Sequence, residues 1–335
     1  MRNARRRGDI LAGGICLILV LAVAVVSPAR AETVALDDLL SAIVHVKTSI
    51  NPDGRSVASL GREREGTGVV IDNDGLIVTI GYLMVEAQSA EVITNDGHAV
   101  PANVVGYDHE SGFGLLRAIM PLKVHPLALG HSAELKEKDP VIIVGHGGRG
   151  RVARAEVVSR RAFAGSWEYL LDDAIYTWPP YPDWSGAALI DRSGKLVGVG
   201  SLVLEDASGQ GEPGNMFVPI DRLTPILADL ITDGRASGPG RPWLGVITQE
   251  LGGHLVVAAV APGGPAEKAG IKHGDIIESV GNAAPKDMED FYRKIYAQGA
   301  AGVTIPLDVR RSDESRHFDV KSMNRLDHLR LKSTY

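Results

Sequence analysis

The chain has 335 residues, of which 44% are hydrophobic and 23% charged, and its formal net charge is −6. This length and composition are typical of a globular protein with two ordinary domains and an N-terminal extension. Aromatic residues make up only 5% of the chain, and no basic tract follows the N-terminus, which argues against nucleic-acid binding. The 39 glycines and 18 prolines indicate many turns, as in β-rich folds.

The N-terminal segment has the features of a targeting sequence. An arginine cluster between Arg2 and Arg7 precedes an apolar run from Ile10 to Val26. Ala29-Arg30-Ala31 then has the Ala-x-Ala pattern of a signal-peptide cleavage site. We therefore expect residues 1–31 to be a cleaved signal peptide. A retained inner-membrane anchor is the alternative, because the run is at the short limit for spanning a bilayer. Cleavage would remove the only cysteine, and an acidic exported chain without disulfides fits a bacterial periplasm.

From Thr67 to about Val218, short apolar runs alternate with turn residues. Residues 68–71 and 76–79 flank an Asp-Asn-Asp-Gly turn and predict a hairpin. Further short strands are predicted at 91–94, 141–144, 188–190 and 196–199, and this regular spacing is typical of an all-β barrel or sandwich. The segment Asp221–Leu230 predicts a helix that Asp221 could cap.

The composition of residues 235–241 is that of a linker, and a compact second domain follows it. We predict a short helix from Pro265 to Gly270, a strand over 275–280, an amphipathic helix from Lys286 to Gln298 and a closing strand from Val303 to Arg310. These elements indicate a small α+β module.

Two stretches carry a family resemblance. Gly66–Thr79 is similar to the strand pair that precedes the catalytic histidine in the HtrA (Do-like) serine proteases, and Trp243–Val246 with Val260–Ile277 is similar to their PDZ domain. The resemblance implies a mainly β fold, with a trypsin-like double β-barrel followed by a small α+β PDZ domain. The expected domains are a signal peptide at 1–31, a protease-like domain at 32–234, a linker at 235–241, a PDZ domain at 242–325 and a tail at 326–335.

The catalytic triad is where the chain departs from that family. By resemblance, Ser185 stands at the nucleophile position, whereas Tyr82 replaces the histidine and Gly112 the aspartate. A serine hydroxyl needs a base within hydrogen-bond reach, and loss of that base costs on the order of 10⁶ in rate. Asp183 and Trp184 further alter the oxyanion side, where the family has Gly-Asn. We therefore expect Ser185 to be a relic nucleophile, with Tyr82 packed into the vacated site.

The alternative is an active endopeptidase that uses Ser185 with a recruited base. The available histidines of this domain are His98, His109, His125, His131 and His146. His109 lies nearest in sequence to the lost acid, but histidines in polar loops are usually solvated.

A PDZ domain binds an extended peptide as an added strand and holds its free carboxylate with backbone N–H groups. By resemblance, Leu244, Gly245 and Val246 supply that loop and edge, while Phe291, Ile295 and Tyr296 line the pocket for the last residue. The glycine-rich Gly145–Gly150 lacks the ending of a phosphate-binding loop. No ligand spacing typical of zinc or calcium sites occurs, so neither a cofactor nor a metal is expected.

These features together predict a periplasmic pseudoprotease that binds peptide C-termini or unfolded proteins as an adaptor, chaperone or regulator. The resemblance implies a homotrimer or a mixed assembly with an active relative. A pure scaffold with a closed peptide groove is a third hypothesis.

Overall fold

The computed structural model describes residues 36–331, so the expected signal peptide lies outside the described residues. Seventeen strands form two closed barrels and one open sheet, which confirms the mainly β fold. Within residues 36–331, no helix is long and apolar enough to cross a membrane.

The first barrel has the strand order β1-β2-β3-β6-β5-β4. Its strands are β1 (Ile43–Ile50), β2 (Glu63–Val70), β3 (Leu76–Ile80), β4 (Ala87–Ile93), β5 (Ala99–Tyr107) and β6 (Phe113–Ala118). Strands β2 and β3 pair antiparallel with Val69 opposite Val78, as the hairpin prediction required.

The second barrel has the order β10-β11-β12-β9-β8-β7. Its strands are β7 (Pro140–Val144), β8 (Val152–Gly165), β9 (Tyr169–Trp178), β10 (Ala188–Ile190), β11 (Leu196–Leu204) and β12 (Gly214–Pro219). The long strands β8 and β9 form a hairpin that extends beyond the barrel to a tip at Ser166–Glu168. The largest hydrophobic cluster of the described chain contains residues of both barrels, including Leu115 and Val199.

The third unit is an open sheet of order β13-β14-β15-β16-β17. Its strands are β13 (Val246–Leu251), β14 (His254–Val260), β15 (Ile276–Val280), β16 (Thr304–Arg311) and β17 (Glu314–Lys321). The prediction that the strand at Val303–Arg310 closes the domain is wrong, because this strand, β16, is followed by β17, which pairs with it along its whole length.

Helices are short and peripheral. They are α1 (Leu36–Ser41), α2 (Val57–Leu60), α3 (Leu227–Asp233), α4 (Pro265–Ala269), α5 (Met288–Ala297) and α6 (Arg325–His328). Helix α4 ends at Gly270 in the left-handed conformation, and Asp287 caps α5 by accepting from the N–H of Asp290.

The prediction of one helix over Asp221–Leu230 is wrong. Two 3₁₀ turns occupy Ile220–Arg222 and Thr224–Ile226, and the α-helix begins only at Leu227. Pro225 has no N–H to contribute to a continuous helix. The carboxylate of Asp221 accepts a hydrogen bond from the N–H of Ala133 at 2.8 Å, which explains why it does not serve as the predicted cap.

The segment after β17 connects the third unit to the barrels. The guanidinium of Arg325 lies 3.0 Å from His109 Nε2 and donates to the carbonyl of Trp167 at 2.7 Å. Beyond α6, the N–H of Arg330 donates to the carboxylate of Glu86 in the first barrel at 2.7 Å. This C-terminal segment, residues 325–330, therefore contacts both barrels.

Candidate active site and peptide-binding loop

Tyr82 and Ser185 meet where the two barrels face each other. Tyr82 lies in the 3₁₀ turn that follows β3, and Ser185 lies in the loop before β10. The Tyr82 hydroxyl is 3.0 Å from Ser185 Oγ. The fold thus brings together two of the positions that the sequence singled out, although they are 103 residues apart.

The loop that carries Ser185 is held against β2 by backbone contacts. The N–H of Thr67 donates to the carbonyl of Ser185 at 2.8 Å. Gly186 has a φ of 74°, and a Cβ there would lie 2.0 Å from the carbonyl oxygen of Thr67. Glycine is therefore required at this position both for its backbone conformation and for the close approach.

Tyr82 is a poor base for Ser185 because its phenol stays protonated at neutral pH. Its hydroxyl also lies 3.0 Å from the carbonyl of Ser201, which accepts from Trp184 Nε1 at 3.1 Å as well. When the phenol gives its single hydrogen to Ser201, the hydroxyl of Ser185 donates to Tyr82. Burial raises the pKa of Tyr82 to about 12, so the phenolate fraction at pH 7 is on the order of 10⁻⁵.

Gly112 contributes only backbone groups to this region. It has a φ of 86°, and its carbonyl accepts from the N–H of Gly81 at 2.7 Å. A Cβ on Gly112 would lie 3.2 Å from the hydroxyl of Tyr169. An acid at this position would therefore need a strained backbone and a displaced tyrosine.

The two residues before Ser185 make contacts that the sequence did not reveal. The carboxylate of Asp183 forms an ion pair with Arg151. This pairing partly neutralises the negative charge of Asp183 beside the serine loop. Trp184 is partly buried, and its indole N–H donates to the same Ser201 carbonyl that lies 3.0 Å from the Tyr82 hydroxyl.

No histidine within residues 36–331 hydrogen-bonds to Ser185 Oγ. The nearest link is indirect: His146 Nδ1 lies 3.1 Å from the hydroxyl of Thr67, whose N–H binds the Ser185 carbonyl. His146 stacks on His45 with 3.9 Å between ring centroids, and burial lowers the pKa of both rings.

The expectation of a solvated His109 is wrong. Its Nδ1 lies 3.0 Å from the hydroxyl of Tyr107 and its Nε2 lies 3.0 Å from Arg325. Burial, together with the charge of Arg325, lowers the pKa of His109 well below its ordinary value. His109 is thus engaged with the C-terminal segment and makes no hydrogen bond to Ser185 in the described chain.

The loop Leu244–Val246 holds a carboxylate from elsewhere in the chain. Glu168, at the tip of the β8–β9 hairpin, accepts from the N–H of Leu244 at 2.8 Å and from that of Val246 at 2.6 Å. Burial raises the pKa of Glu168 to about 7, although these N–H donors oppose the rise.

The predicted pocket residues Phe291 and Ile295 are both 0% exposed. They belong to one hydrophobic cluster that contains the core of the third unit and also Leu170 from β9. Their role in binding a peptide therefore stays a prediction, as do those of Leu244, Gly245 and Val246.

Residues 66–199 match the family model of the trypsin-like peptidase domain, and residues 242–322 match that of the PDZ domain. The chain thus contains a domain similar to trypsin-like peptidases followed by a C-terminal PDZ domain, and it resembles the HtrA/DegP-like proteins.

Two curated relatives illustrate the likeness. A probable periplasmic serine endoprotease DegP-like from Rhizobium meliloti is 30% identical over 291 residues, covering 80% of this chain and 56% of the relative. The periplasmic pH-dependent serine endoprotease DegQ of Escherichia coli is 28% identical over 271 residues, covering 76% of this chain and 58% of the relative. The chain thus spans a little over half the length of these relatives.

Solved structures support the fold. The HtrA-type protease AlgW with a decapeptide is 20% identical, with a TM-score of 0.52, and the match covers 89% of this chain and 99% of that one. A variant of AlgW with a tripeptide gives a TM-score of 0.53 at the same identity, covering 89% of this chain and 98% of that one.

Sequence reasoning missed three contributors to these sites: Glu168, Arg151 and Ser201. Ser201 acts through its carbonyl, so its side chain gives no signal. For Glu168, the apolar residues that surround the hairpin tip, Trp167 and Tyr169–Leu171, could have indicated that this turn is buried.

Proposed function

We propose that this chain is a catalytically inactive HtrA-like protein of the bacterial periplasm. In this proposal it binds peptide C-termini or unfolded chains through its PDZ domain and acts as an adaptor, chaperone or regulator in envelope protein quality control. The observation that carries the inactivity is the hydrogen bond of Ser185 Oγ to Tyr82, a phenol whose pKa burial raises to about 12.

The chemical argument concerns the proton of Ser185. Acyl transfer requires a base that takes this proton as the hydroxyl attacks, and an acid that orients the base. A neutral phenol is a very weak base, and Gly112 has no side chain to orient one. Loss of the base alone costs on the order of 10⁶ in rate.

The binding part of the proposal depends on the PDZ domain. Two N–H groups of one loop, those of Leu244 and Val246, already bind one carboxylate in this structure. A free peptide C-terminus has the same chemical group, and PDZ domains capture it with such a loop. The relatives' location in the periplasm and the N-terminal targeting pattern support export.

Degradation of unfolded β-casein by the purified full chain, with Ser185→Ala as the control, tests the inactivity. We expect no cleavage above background in either protein and no labelling of Ser185 by a fluorophosphonate probe. Casein cleavage that disappears in Ser185→Ala would refute the inactivity and favour an endopeptidase with a recruited base.

A separate experiment tests the binding. Aggregation of reduced, unfolding lysozyme is followed by light scattering with and without the chain, and a decapeptide library with free C-termini is screened for binding. If the wild type, Glu168→Ala and Glu168→Gln all fail both to suppress aggregation and to bind any peptide, the adaptor and chaperone roles are contradicted.

A further inference from the structure

The tip of the β8–β9 hairpin is joined to the PDZ domain by its side chain and its backbone. Glu168 is 4% exposed and has a positive φ of 57°, which is uncommon for a residue other than glycine. Its two carboxylate oxygens accept from the N–H groups of Leu244 and Val246. A buried carboxylate is costly unless it is fully hydrogen-bonded, and here the loop supplies the donors.

The backbone of the tip continues the same arrangement along β13. The N–H of Thr248 donates to the carbonyl of Ser166 at 3.0 Å. Because Thr248 lies two residues after Val246 and Ser166 two residues before Glu168, the tip runs antiparallel to the strand. This is the pattern of a peptide added to a sheet edge with its carboxylate at the loop.

Helix α5 closes the other side of the tip. The hydroxyl of Tyr292 donates to the carbonyl of Gly165 at 2.7 Å and lies 3.2 Å from the N–H of Glu168. Leu170 is 3% exposed and belongs to the PDZ core cluster, and Ala162 and Ala164 pack against that cluster. The hairpin is therefore bound by loop, strand and helix together.

We infer that the β8–β9 hairpin tip is an internal ligand of the PDZ groove, in which the side-chain carboxylate of Glu168 takes the place of a peptide's C-terminal carboxylate. A partner with a free C-terminus must displace Glu168 and the Ser166 carbonyl in order to bind. The inference deepens the proposed peptide binding, on which its second test rests, by stating what occupies the groove in the absence of a partner.

Competition of this kind has a large effect because the hairpin is tethered. A short connection gives an internal ligand an effective concentration in the millimolar range. The apparent affinity for an external peptide falls in proportion to the fraction of molecules whose groove is open. A groove that is open in one molecule in ten binds about tenfold more weakly than a permanently open one.

Amide hydrogen exchange in the full chain tests the occupancy without any peptide. Glu168→Ala removes the acceptor, Glu168→Gln retains its shape without its charge, and Glu205→Ala serves as a matched control at an exposed glutamate of the same domain. We expect exchange of the Leu244 and Val246 amides to accelerate at least about tenfold in Glu168→Ala and less in Glu168→Gln. Far-UV and near-UV circular dichroism establishes that each variant is folded.

Two results would overturn the inference. The first is unchanged protection of the Leu244 and Val246 amides in a folded Glu168→Ala variant. The second is acceleration spread equally over β14 to β17, because that would indicate general destabilisation of the PDZ domain rather than release of its groove.

Peptide binding provides the second test. Fluorescence anisotropy follows a labelled decapeptide pool with free C-termini and apolar last residues, and the same pool with C-terminal amides is the ligand control. We expect Glu168→Ala to bind the free-acid pool at least about tenfold more tightly than wild type and Glu205→Ala. Equal affinities in all three proteins would overturn the internal ligand. Accelerated exchange without peptide binding by Glu168→Ala would support the internal ligand and contradict the proposed peptide-binding function.

Discussion

Tyr82 and Ser185 form a hydrogen bond of 3.0 Å across the contact between the barrels, so the remaining residue of the triad is tied to the residue that replaces its base. In this arrangement the serine hydroxyl is part of a structural hydrogen-bond network that also includes the carbonyl of Ser201. The bond can therefore be measured as a contribution to stability.

Substitution of Tyr82 by Phe should lower the free energy of unfolding by about 1–2 kcal/mol, because Ser185 Oγ loses its partner in a partly buried site. A double-mutant cycle with Ser185→Ala, measured by urea denaturation, should give a coupling energy of about 0.5–1.5 kcal/mol. Strictly additive effects of the two substitutions would contradict the bond. Peptidase activity should stay at background in all three variants.

Restoring the two lost residues should not restore the protease. In Tyr82→His with Gly112→Asp, the new aspartate must adopt a φ near 86° with its Cβ 3.2 Å from the Tyr169 hydroxyl. We expect a loss of at least about 1 kcal/mol in stability relative to Tyr82→His alone, and no cleavage of casein. Serine-dependent casein cleavage by the double variant would show that the site tolerates an acid.

Peptide binding should weaken on acidification through the protonation of Glu168. Its pKa is raised to about 7 in the docked hairpin, whereas a solvated glutamate titrates near 4.3. The docked state therefore binds more protons between these values, and lowering the pH from 8 to 6 should strengthen docking by up to about tenfold. The apparent affinity for an external peptide should fall by the same factor.

The charged and titratable groups that face the tip define the control for this measurement. The guanidinium of Arg325 lies beside the tip, and burial raises the pKa of Tyr292 and of Tyr296 above this pH range. His109 opposes the strengthening of docking at low pH. Its pKa is lowered in the docked state, so its release from the docked hairpin would favour proton uptake. The titrations of His109 and of the peptide affect wild type and Glu168→Gln alike, so the ratio of their peptide affinities isolates the contribution of Glu168. A ratio that stays constant from pH 8 to pH 6 would contradict the role of Glu168.

The stability of the PDZ domain should depend strongly on Asp275. Its carboxylate is 1% exposed, and Arg311 donates to both oxygens at 2.6 and 2.7 Å. Burial favours the neutral acid, but the bonds from Arg311 and from the N–H of Lys272 hold the pKa of Asp275 below its ordinary value. The carboxylate therefore stabilises the fold at neutral pH, and this stabilisation is lost as the pH falls through that lowered pKa.

We expect Asp275→Ala to cost about 3–5 kcal/mol in urea denaturation at pH 7, because it leaves the guanidinium without its buried partner. Asp308→Ala is the comparison, since Asp308 is 30% exposed and pairs with His317 at the surface, and it should cost less than about 1 kcal/mol. Similar costs for the two substitutions would contradict this account.

Local patterns in the sequence were sufficient for much of the fold. The β2–β3 hairpin follows from a polar turn between two apolar runs, and α4 follows from Pro265 at its start and Gly270 after its end. The helix predicted from Asp221 begins only at Leu227, because Pro225 cannot contribute an N–H to it, and the Asp221 carboxylate accepts from the distant N–H of Ala133 instead of capping. The sequence around Asp221 contains no information about that partner.

The candidate site was only partly predictable for a related reason. Tyr82, Gly112 and Ser185 were identified by their order along a family pattern, and the contact between Tyr82 and Ser185 follows from the double barrel. The contact of Glu168 with Leu244 joins residues 76 positions apart in two different domains. It depends on how the hairpin meets the PDZ domain, and neither local composition nor the pattern of either domain determines that.

The C-terminal segment gives the hairpin tip a second connection. Arg325 binds the carbonyl of Trp167, next to Glu168, and Arg330 is tied to Glu86 in the first barrel. Both residues lie beyond residue 322, where the PDZ match ends. Substitutions in this segment would therefore change how readily the groove opens without altering any residue that a peptide would touch, so its sequence could set the threshold of the response independently of ligand specificity.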